Sequence, residues 1–173
     1  MNIKLTVDYR ENKIIEKLKN TEIDFEMCIE NLPIGDFIIS KNDIIKLIIE
    51  RKTFSDLASS IIDGRFREQK NRLIESDSNI LYILEGQKNK TKMDGPCNGA
   101  IQNLLFKHKI NVLHTRDLQD TIDNILMMNK KIRNNEILEE SNNKNQIQPK
   151  IFSKSDKIKS SIFMLQLCVI PGV

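Results

Sequence analysis

The apolar residues of this chain follow two alternating periods, one typical of β-strands and one typical of α-helices. Apolar runs that alternate with period two, or that are nearly continuous, predict strands over residues 3–7, 25–30, 37–40, 44–50, 80–85 and 110–113. Apolar residues at helical spacing predict helices over residues 14–18, 54–62, 65–75, 98–107 and 117–133. This alternation predicts an α/β fold in which helices flank a mixed central sheet.

Turn-forming residues divide the pattern at two places that matter for the site. The segment Lys41-Asn42-Asp43 predicts a hairpin between strands 37–40 and 44–50, and Asp63-Gly64 predicts a break between two helices. We expect residues 88–96 to form a polar loop. These boundaries place residues 1–133 in a single domain.

The composition changes at residue 134. Residues 134–159 are rich in Asn, Glu, Lys, Gln and Ser and predict a flexible linker. Residues 160–173 are apolar again but are too few to bury a core of their own.

Composition and charge limit the class of protein but do not identify a function. The net charge of the 173 residues is only +3, so a basic surface depends on where the cations lie. The three cysteines are far apart and odd in number, which indicates free thiols in a reducing compartment. Neither a signal peptide nor an apolar run of about 18 residues is present in the sequence, so we expect an intracellular protein without a membrane span.

A pair of carboxylates and a lysine occur around the predicted hairpin. Asp36 follows Gly35 before the first strand, and Glu50 and Lys52 lie at the end of the second. Residues two apart on a strand share a face, so Glu50 and Lys52 point the same way. Carboxylates that hold a hard divalent cation, with a lysine to orient water or stabilise charge, suit phosphodiester hydrolysis.

The same residues also have a purely structural interpretation, because Asp…Glu-x-Lys alone is a weak pattern. Glu50-Arg51-Lys52 is then a solvated strand end and Asp36 a turn residue. Asp56, in the first turn of the next helix, suits either a site or a helix start. Asp8 and Glu11 follow the first strand, where they form an ordinary polar turn or reach the same end of the sheet.

A second cluster of polar residues begins the helix predicted after Gly64. It contains four cations and a glutamine: Arg65, Arg67, Gln69, Lys70 and Arg72. Arg65 and Arg72 are two helical turns apart and share a face, with Gln69 nearly on it. Such a stripe suits DNA phosphates beside a metal site, and the alternative is a solvated helix face. Phe66 and Leu73 fit a core better than a base-stacking role.

Together these residues resemble a known family. Gly35-Asp36, Glu50-Arg51-Lys52, Asp56-Leu57 and the run Ser60-Ile-Ile-Asp-Gly-Arg-Phe-Arg-Glu-Gln-Lys70 are similar to the nuclease domain of the XPF family of structure-selective DNA endonucleases. The run is most similar to the MUS branch, the crossover-junction endonucleases. The resemblance covers roughly residues 3–133 and implies a restriction-endonuclease-like core that uses Mg²⁺ or Mn²⁺ to incise branched DNA, such as 3′ flaps, forks and nicked junctions.

The resemblance also implies residue roles. Asp36 and Glu50 match the main metal ligands, Asp8 contributes directly or through water, and Lys52 matches the catalytic lysine. Supporting or DNA-binding roles are implied for Arg51, Asp56, Arg65, Gln69, Glu11, Arg67 and Lys70, of which Glu11 fits the motif least well.

Partners follow from the resemblance as well. Members of the family pair through their nuclease domains, so a homodimer or heterodimer is expected. The helix predicted over residues 117–133 carries more apolar residues than one core face needs, which either contribute to that interface or all belong to the core: Ile122, Ile125, Leu126, Met128 and Ile132. Residues 160–173 resemble the first helix and hairpin of a helix-hairpin-helix module, without its second helix. We expect such a nuclease in the nucleus or another site of DNA replication and repair.

Two alternatives remain open at this point, a non-catalytic DNA-binding or scaffold subunit of a nuclease dimer and a nuclease for plain duplex. The complete acidic set favours an active nuclease over the scaffold subunit.

Overall fold

The computed structural model describes residues 2–87 and 94–138, in which strands alternate with helices as the hydrophobic pattern predicts. The strands are β1 (Ile3–Asp8), β2 (Glu26–Glu30), β3 (Phe37–Lys41), β4 (Ile44–Thr53), β5 (Ile80–Glu85) and β6 (Asn111–Thr115). The helices are α1 (Asn12–Lys19), α2 (Phe54–Ile62), α3 (Arg65–Glu75), α4 (Asp94–Gln102) and α5 (Leu118–Arg133).

The strands form one mixed sheet in the order β2-β1-β3-β4-β5-β6. The hairpin of β3 and β4 is antiparallel, as predicted, and β1 also pairs antiparallel with β3. The pairs β1–β2, β4–β5 and β5–β6 are parallel. The carboxyl ends of β1, β4, β5 and β6 therefore meet at one edge of the sheet, together with the start of β3.

Helices cover both faces of the sheet and give the fold two cores. Helices α1 and α5 pack on one face through the buried residues Ile14, Ile15, Leu18, Ile122, Ile125 and Ile132. Helices α2, α3 and α4 pack on the other through Leu57, Phe66, Leu73, Cys97 and Ala100. Phe66 and Leu73 are core residues, as expected. Because strand side chains alternate between faces, neighbouring residues of β4 belong to different cores.

Helix α4 begins earlier than the hydrophobic pattern predicts. Asp94, Gly95 and Pro96 lie in its first turn, whereas the sequence placed Pro96 in a loop. Proline is tolerated there because backbone N–H groups in the first turn have no helical acceptor. The predicted helix also changes character at Asn103, where a π-helical segment runs to Lys107.

The apolar surplus expected on α5 for a dimer interface is absent. Ile122, Ile125 and Ile132 are buried in the core of the chain itself, and Leu126 and Met128 pack against it. A helix of 16 residues that crosses the sheet needs all of them to cover β1, β3, β5 and β6. The alternative interpretation, in which these residues are core, is correct.

The buried Lys41 fixes the end of α5 to the hairpin. Its Nζ donates to the carbonyl oxygens of Ile132 at 3.0 Å and Arg133 at 2.8 Å. Both carbonyls lie in the last turn of α5, where a cation suits the negative end of the helix dipole. Ile137 and Leu138 then pack against the α1–α5 core. The rest of the predicted linker and the segment 160–173 lie outside the described residues.

Other expectations concern cysteines and membrane spans. Within residues 2–87 and 94–138, neither Cys28 nor Cys97 is in a disulfide, which agrees with the prediction. Cys168 lies outside the described residues. None of the helices in residues 2–87 and 94–138 is long and apolar enough to cross a membrane.

Candidate active site

The turn before β3 places Asp36 between the ends of β1 and β4. The backbone N–H of Asp36 donates to the Ile49 carbonyl at 2.8 Å, and its carbonyl accepts from the Asp8 N–H at 2.9 Å. Gly35 makes this approach possible. Its φ is +70°, and a Cβ there would lie 2.6 Å from Cγ2 of Ile48. The sequence Gly-Asp is therefore required by backbone geometry at this point.

Glu50 is the buried acid of the site. Its residue surface is only 7% exposed. Burial and the neighbouring Asp36 carboxylate raise the pKa of Glu50 to about 8. Burial also raises the pKa of Asp36, although its carboxylate accepts from the Arg51 N–H at 2.8 Å. Two neighbouring acids whose pKa values are raised chiefly by burial are typical of functional positions.

Lys52 provides the positive charge on the same face. Its Nζ lies 3.9 Å from Oε1 of Glu50 and donates to Oε1 of Gln69 at 3.0 Å. Gln69 projects from α3, so one hydrogen bond joins the end of β4 to the helix that carries the cationic stripe. The structure thus brings together Asp36, Glu50, Lys52 and Gln69, as expected from the sequence.

A cavity of about 550 Å³ opens in front of the acids. It is lined by Tyr9, Arg10, Asn31, Leu32, Pro33, Ile34, Gly35, Asp36, Glu50, Gln69, Arg72 and Leu73. Arg72 lies close enough to lower the proton affinity of Glu50, and its Nη1 is buried without a hydrogen-bond partner. From the sequence we expected Arg72 in the cationic stripe but not beside Glu50.

Asp8 is close to the site, but its carboxylate is fully engaged. Oδ1 accepts from Nε of Arg10 at 2.6 Å and from the Arg10 N–H, and Oδ2 accepts from Arg10 Nη2 and the Leu32 N–H. Burial works against ionisation, but the hydrogen bonds from Arg10 and Leu32 outweigh it and lower the pKa of Asp8. Arg10, which the sequence did not single out, thus joins Asp8 to the cavity.

Arg51 faces away from Glu50, on the α1–α5 side of the sheet. Its guanidinium donates from Nη1 to Glu11 at 3.0 Å and from Nε to Glu85 at 2.8 Å. Glu85 also accepts from the Thr121 hydroxyl at 2.7 Å. Glu11 and Arg51 therefore support the edge of the sheet from behind. Glu85 was missed, although it ends a buried strand parallel to β4 as Glu50 ends its own.

The remaining predicted residues lie outside the cavity. Asp56 begins α2, where its N–H and carboxylate both bond to the Thr53 hydroxyl, as in a helix cap. Arg65 is exposed and pairs with Asp63 at 2.7 Å. Arg67 is exposed, and Lys70 lies 3.1 Å from Nε2 of His108. They form the outer part of the α3 stripe.

The donor set fits a hard divalent cation. Asp36 and Glu50 supply carboxylate oxygens at the cavity wall, and the raised pKa of Glu50 means that this pair lacks sufficient positive charge. Mg²⁺ typically takes one or two carboxylates and keeps several waters. Within residues 2–87 and 94–138, no three His, Cys, Asp or Glu side chains form a metal-binding group, so the fit rests on this pair.

Comparisons with known proteins agree with this geometry. Residues 7–128 match the family model described as ERCC4 domain. The chain is 42% identical over 99 residues to the probable crossover junction endonuclease mus81 of Dictyostelium discoideum. This alignment covers 49% of this chain and 10% of that protein. It is 29% identical over 129 residues to the 3′-flap repair endonuclease Xpf of Saccharolobus solfataricus. That alignment covers 71% of this chain and 53% of the relative.

Solved structures give the same result. XPF from Aeropyrum pernix superposes with a TM-score of 0.61 at 25% identity, over 98% of this chain and 75% of that one, and a complex of it with DNA superposes with 0.60. The structural neighbour has the mixed sheet flanked by helices that the sequence predicted. The chain spans at most about half the length of the two curated relatives. On the match to residues 7–128, the chain belongs to the ERCC4-domain family.

Proposed function

We propose that this chain is a divalent-metal-dependent DNA endonuclease that hydrolyses phosphodiester bonds in branched DNA during repair or recombination. The observation that carries the proposal is the pair of the half-buried Asp36 and the buried Glu50, with Lys52 3.9 Å from Glu50. A scaffold subunit has no need of two mutually repelling acids at the wall of a cavity, because their burial destabilises the fold.

Asp36 and Glu50 would hold Mg²⁺ or Mn²⁺ in this site. The bound cation supplies a water of lowered pKa and positive charge for the phosphate. Lys52 would orient that water or stabilise the developing negative charge, and Gln69 fixes the amine of Lys52 in place. Arg72, with a free buried N–H group in the same cavity, is placed to contact a phosphate oxygen.

The other residues of the motif are assigned supporting roles. Asp8 would contribute through a water, because its carboxylate oxygens already accept hydrogen bonds from Arg10 and Leu32. Glu11 and Arg51 support the position of Asp36 from the other face of the sheet, and Asp56 supports the start of α2.

The cationic stripe of α3 supports DNA as the substrate. Arg65 shares a face of α3 with Gln69 and Arg72 at the cavity edge, as a phosphate backbone would require, and Arg67 and Lys70 add positive charge on the neighbouring face. The similar XPF from Aeropyrum pernix is solved in a complex with DNA, and the Saccharolobus relative is named as a 3′-flap endonuclease. We therefore assign 3′ flaps, forks and nicked junctions as the substrates of this chain.

Assembly and location follow from family membership. We infer that the nuclease domain works as a homodimer or heterodimer. The segment 160–173, whose sequence resembles the start of a helix-hairpin-helix module, would add DNA affinity. The nucleus, or another site of DNA replication and repair, is where this activity belongs.

Cleavage of a labelled 3′ flap tests the proposal. Wild type with Mg²⁺ or Mn²⁺ should cut the flap, EDTA should abolish cutting, and Asp36→Asn should cut at least about 100-fold more slowly while still binding the flap. DNA binding without metal-dependent incision by wild type would establish the scaffold alternative. Equal cutting of flap and linear duplex would instead overturn the preference for branched DNA.

A further inference from the structure

Buried polar atoms without hydrogen-bond partners concentrate near Glu50. In residues 2–87 and 94–138 such side-chain atoms belong to Arg72, Tyr82 and Asn129. The first two have electrostatic contact with Glu50, whereas Asn129 lies on α5. Leaving a buried hydroxyl without a partner costs about 1–3 kcal/mol, so native structures rarely retain one without reason.

Tyr82 lies directly beside Glu50 in the sheet. The two residues are register partners on the parallel strands β4 and β5, so their side chains share a face. Tyr82 is 0% exposed, and its ring packs edge-to-face on Phe66 with centroids 6.2 Å apart. Unlike Glu50, it does not line the cavity. The phenol is thus held rigidly on the protein side of the acid.

The hydroxyl of Tyr82 is a permanent donor. Burial, followed by the negative charges of Glu50 and Asp36, raises the pKa of Tyr82 far above its ordinary value. The O–H group therefore keeps its proton throughout the working range of any enzyme. The nearest groups that interact with it electrostatically are acceptors of hydrogen bonds, and none of them is bonded to it in the metal-free site.

We propose that Tyr82 is a positioning residue for Glu50, whose carboxylate accepts a hydrogen bond from the Tyr82 hydroxyl when it holds a divalent cation on its cavity side. The proposal rests on the function proposed for this site. An ionised carboxylate has acceptor positions on both oxygens, so one side can face the cation while the other faces the phenol. Such outer hydrogen bonds orient metal ligands and commonly change metal affinity 10- to 100-fold.

The variant Tyr82→Phe separates this role from a structural one, since it removes only the hydroxyl. Thermal unfolding in EDTA should give a Tm equal to or above that of wild type, because an unpartnered polar group is lost. Calorimetric titration with Mn²⁺ or Mg²⁺ should show affinity about 10-fold weaker than wild type. Asn129→Leu is the matched control. It also removes an unpartnered buried polar group, and it should leave metal affinity unchanged.

Each outcome decides one proposal or both. If Tyr82→Phe lowers the Tm in EDTA and binds metal like wild type, the hydroxyl is structural and the positioning role is wrong while the nuclease stands. If wild type binds metal but cuts no DNA, the nuclease is wrong, and weaker binding by Tyr82→Phe still supports the positioning role. If wild type binds no metal at all, both proposals fail.

Discussion

The backbone N–H of Arg51 donates to Oδ2 of Asp36 at 2.8 Å, while the Arg51 side chain lies on the opposite face of the sheet from Glu50. One residue thus fixes a cavity acid with its backbone and joins the helices behind the sheet with its guanidinium. The alternation of β4 makes both possible, because Glu50 and Lys52 must then face the cavity. The Glu-Arg-Lys motif therefore serves both faces of the sheet, with Glu50 and Lys52 at the cavity and the Arg51 side chain on the opposite face.

The ion pair of Arg51 with Glu85 should matter for stability. We expect Glu85→Ala to destabilise the fold by about 2 kcal/mol, because it leaves a half-buried guanidinium with Glu11 as its remaining acid. Urea denaturation measures the loss. Asp63→Ala is the control, since it breaks the exposed pair with Arg65 and should stay within about 0.5 kcal/mol of wild type. Equal effects of the two variants would contradict a structural role for the buried network.

The raised pKa of Glu50 predicts a pH dependence of the metal-free protein. Between its ordinary value of 4.5 and about 8, the folded chain keeps a proton on Glu50 that the unfolded chain has lost. Glu50 therefore makes the fold less stable as pH rises through this window, and its effect levels off above pH 8. In EDTA, the Tm of wild type should fall relative to Glu50→Gln between about pH 5 and pH 8.

Metal binding should show the opposite dependence on pH from the stability of the metal-free fold. Because a cation requires the ionised carboxylate, binding below pH 8 releases a proton and apparent metal affinity should rise with pH.

The metal-free Tm experiment can also contradict the raised pKa. In EDTA, a constant Tm difference between wild type and Glu50→Gln from about pH 5 to pH 8 would show that Glu50 ionises normally in the fold.

Gly35 should tolerate no side chain. Gly35→Ala combines the strain of a positive φ with a contact of 2.6 Å to Ile48, so we expect a loss of about 3 kcal/mol. Gly86→Ala is the matched control. Its φ is +90° but nothing lies within 4 Å of the added Cβ, and it should lose only about 1 kcal/mol. Denaturation of both variants isolates the clash, and equal losses would show that the turn can shift.

The bond from Lys52 to Gln69 predicts a change in rate rather than in DNA affinity. Gln69→Leu should lower kcat for flap cleavage about 10-fold by releasing the Lys52 amine, and Lys52→Met should lower it about 100-fold or more. The flap Kd should change little in either. Gln102→Leu, the same substitution at an exposed position of α4, is the control. A weaker Kd with unchanged kcat would instead assign Gln69 to DNA binding.

Local periodicity was sufficient to predict the secondary structure and the convergence of Asp36, Glu50 and Lys52. The hairpin brings these residues together by short-range pairing, which a sequence records directly. The order of the strands in the sheet could not be predicted from the sequence, because it depends on contacts between strands that are distant along the chain. Helix α4 began early because Gly95-Pro96 is a loop signal by itself, and only its place in a first turn makes it helical.

Residues whose role depends on a neighbour across the fold were the ones missed. Tyr82 and Glu85 belong to one apolar strand, and nothing in that run distinguishes them from core and strand-end residues. Their roles depend on the register of β5 on β4, which places Tyr82 beside Glu50 and Glu85 beside Thr53. For the same reason the sequence left open whether the apolar residues of α5 belong to a dimer interface or to the core, since the area that they cover is visible only once the sheet is built.

The contact of Lys41 with the end of α5 also decides where the chain leaves the domain. β3 runs from the site at Phe37 to the far end of the sheet at Lys41, so α5 delivers the following residues to the pole opposite the cavity. Ile137 and Leu138, which pack against the α1–α5 core, keep the described chain at that end of the domain. Any group attached after residue 138 would therefore begin at the end of the sheet opposite Asp36 and Glu50, and a label placed there should leave the mouth of the cavity open.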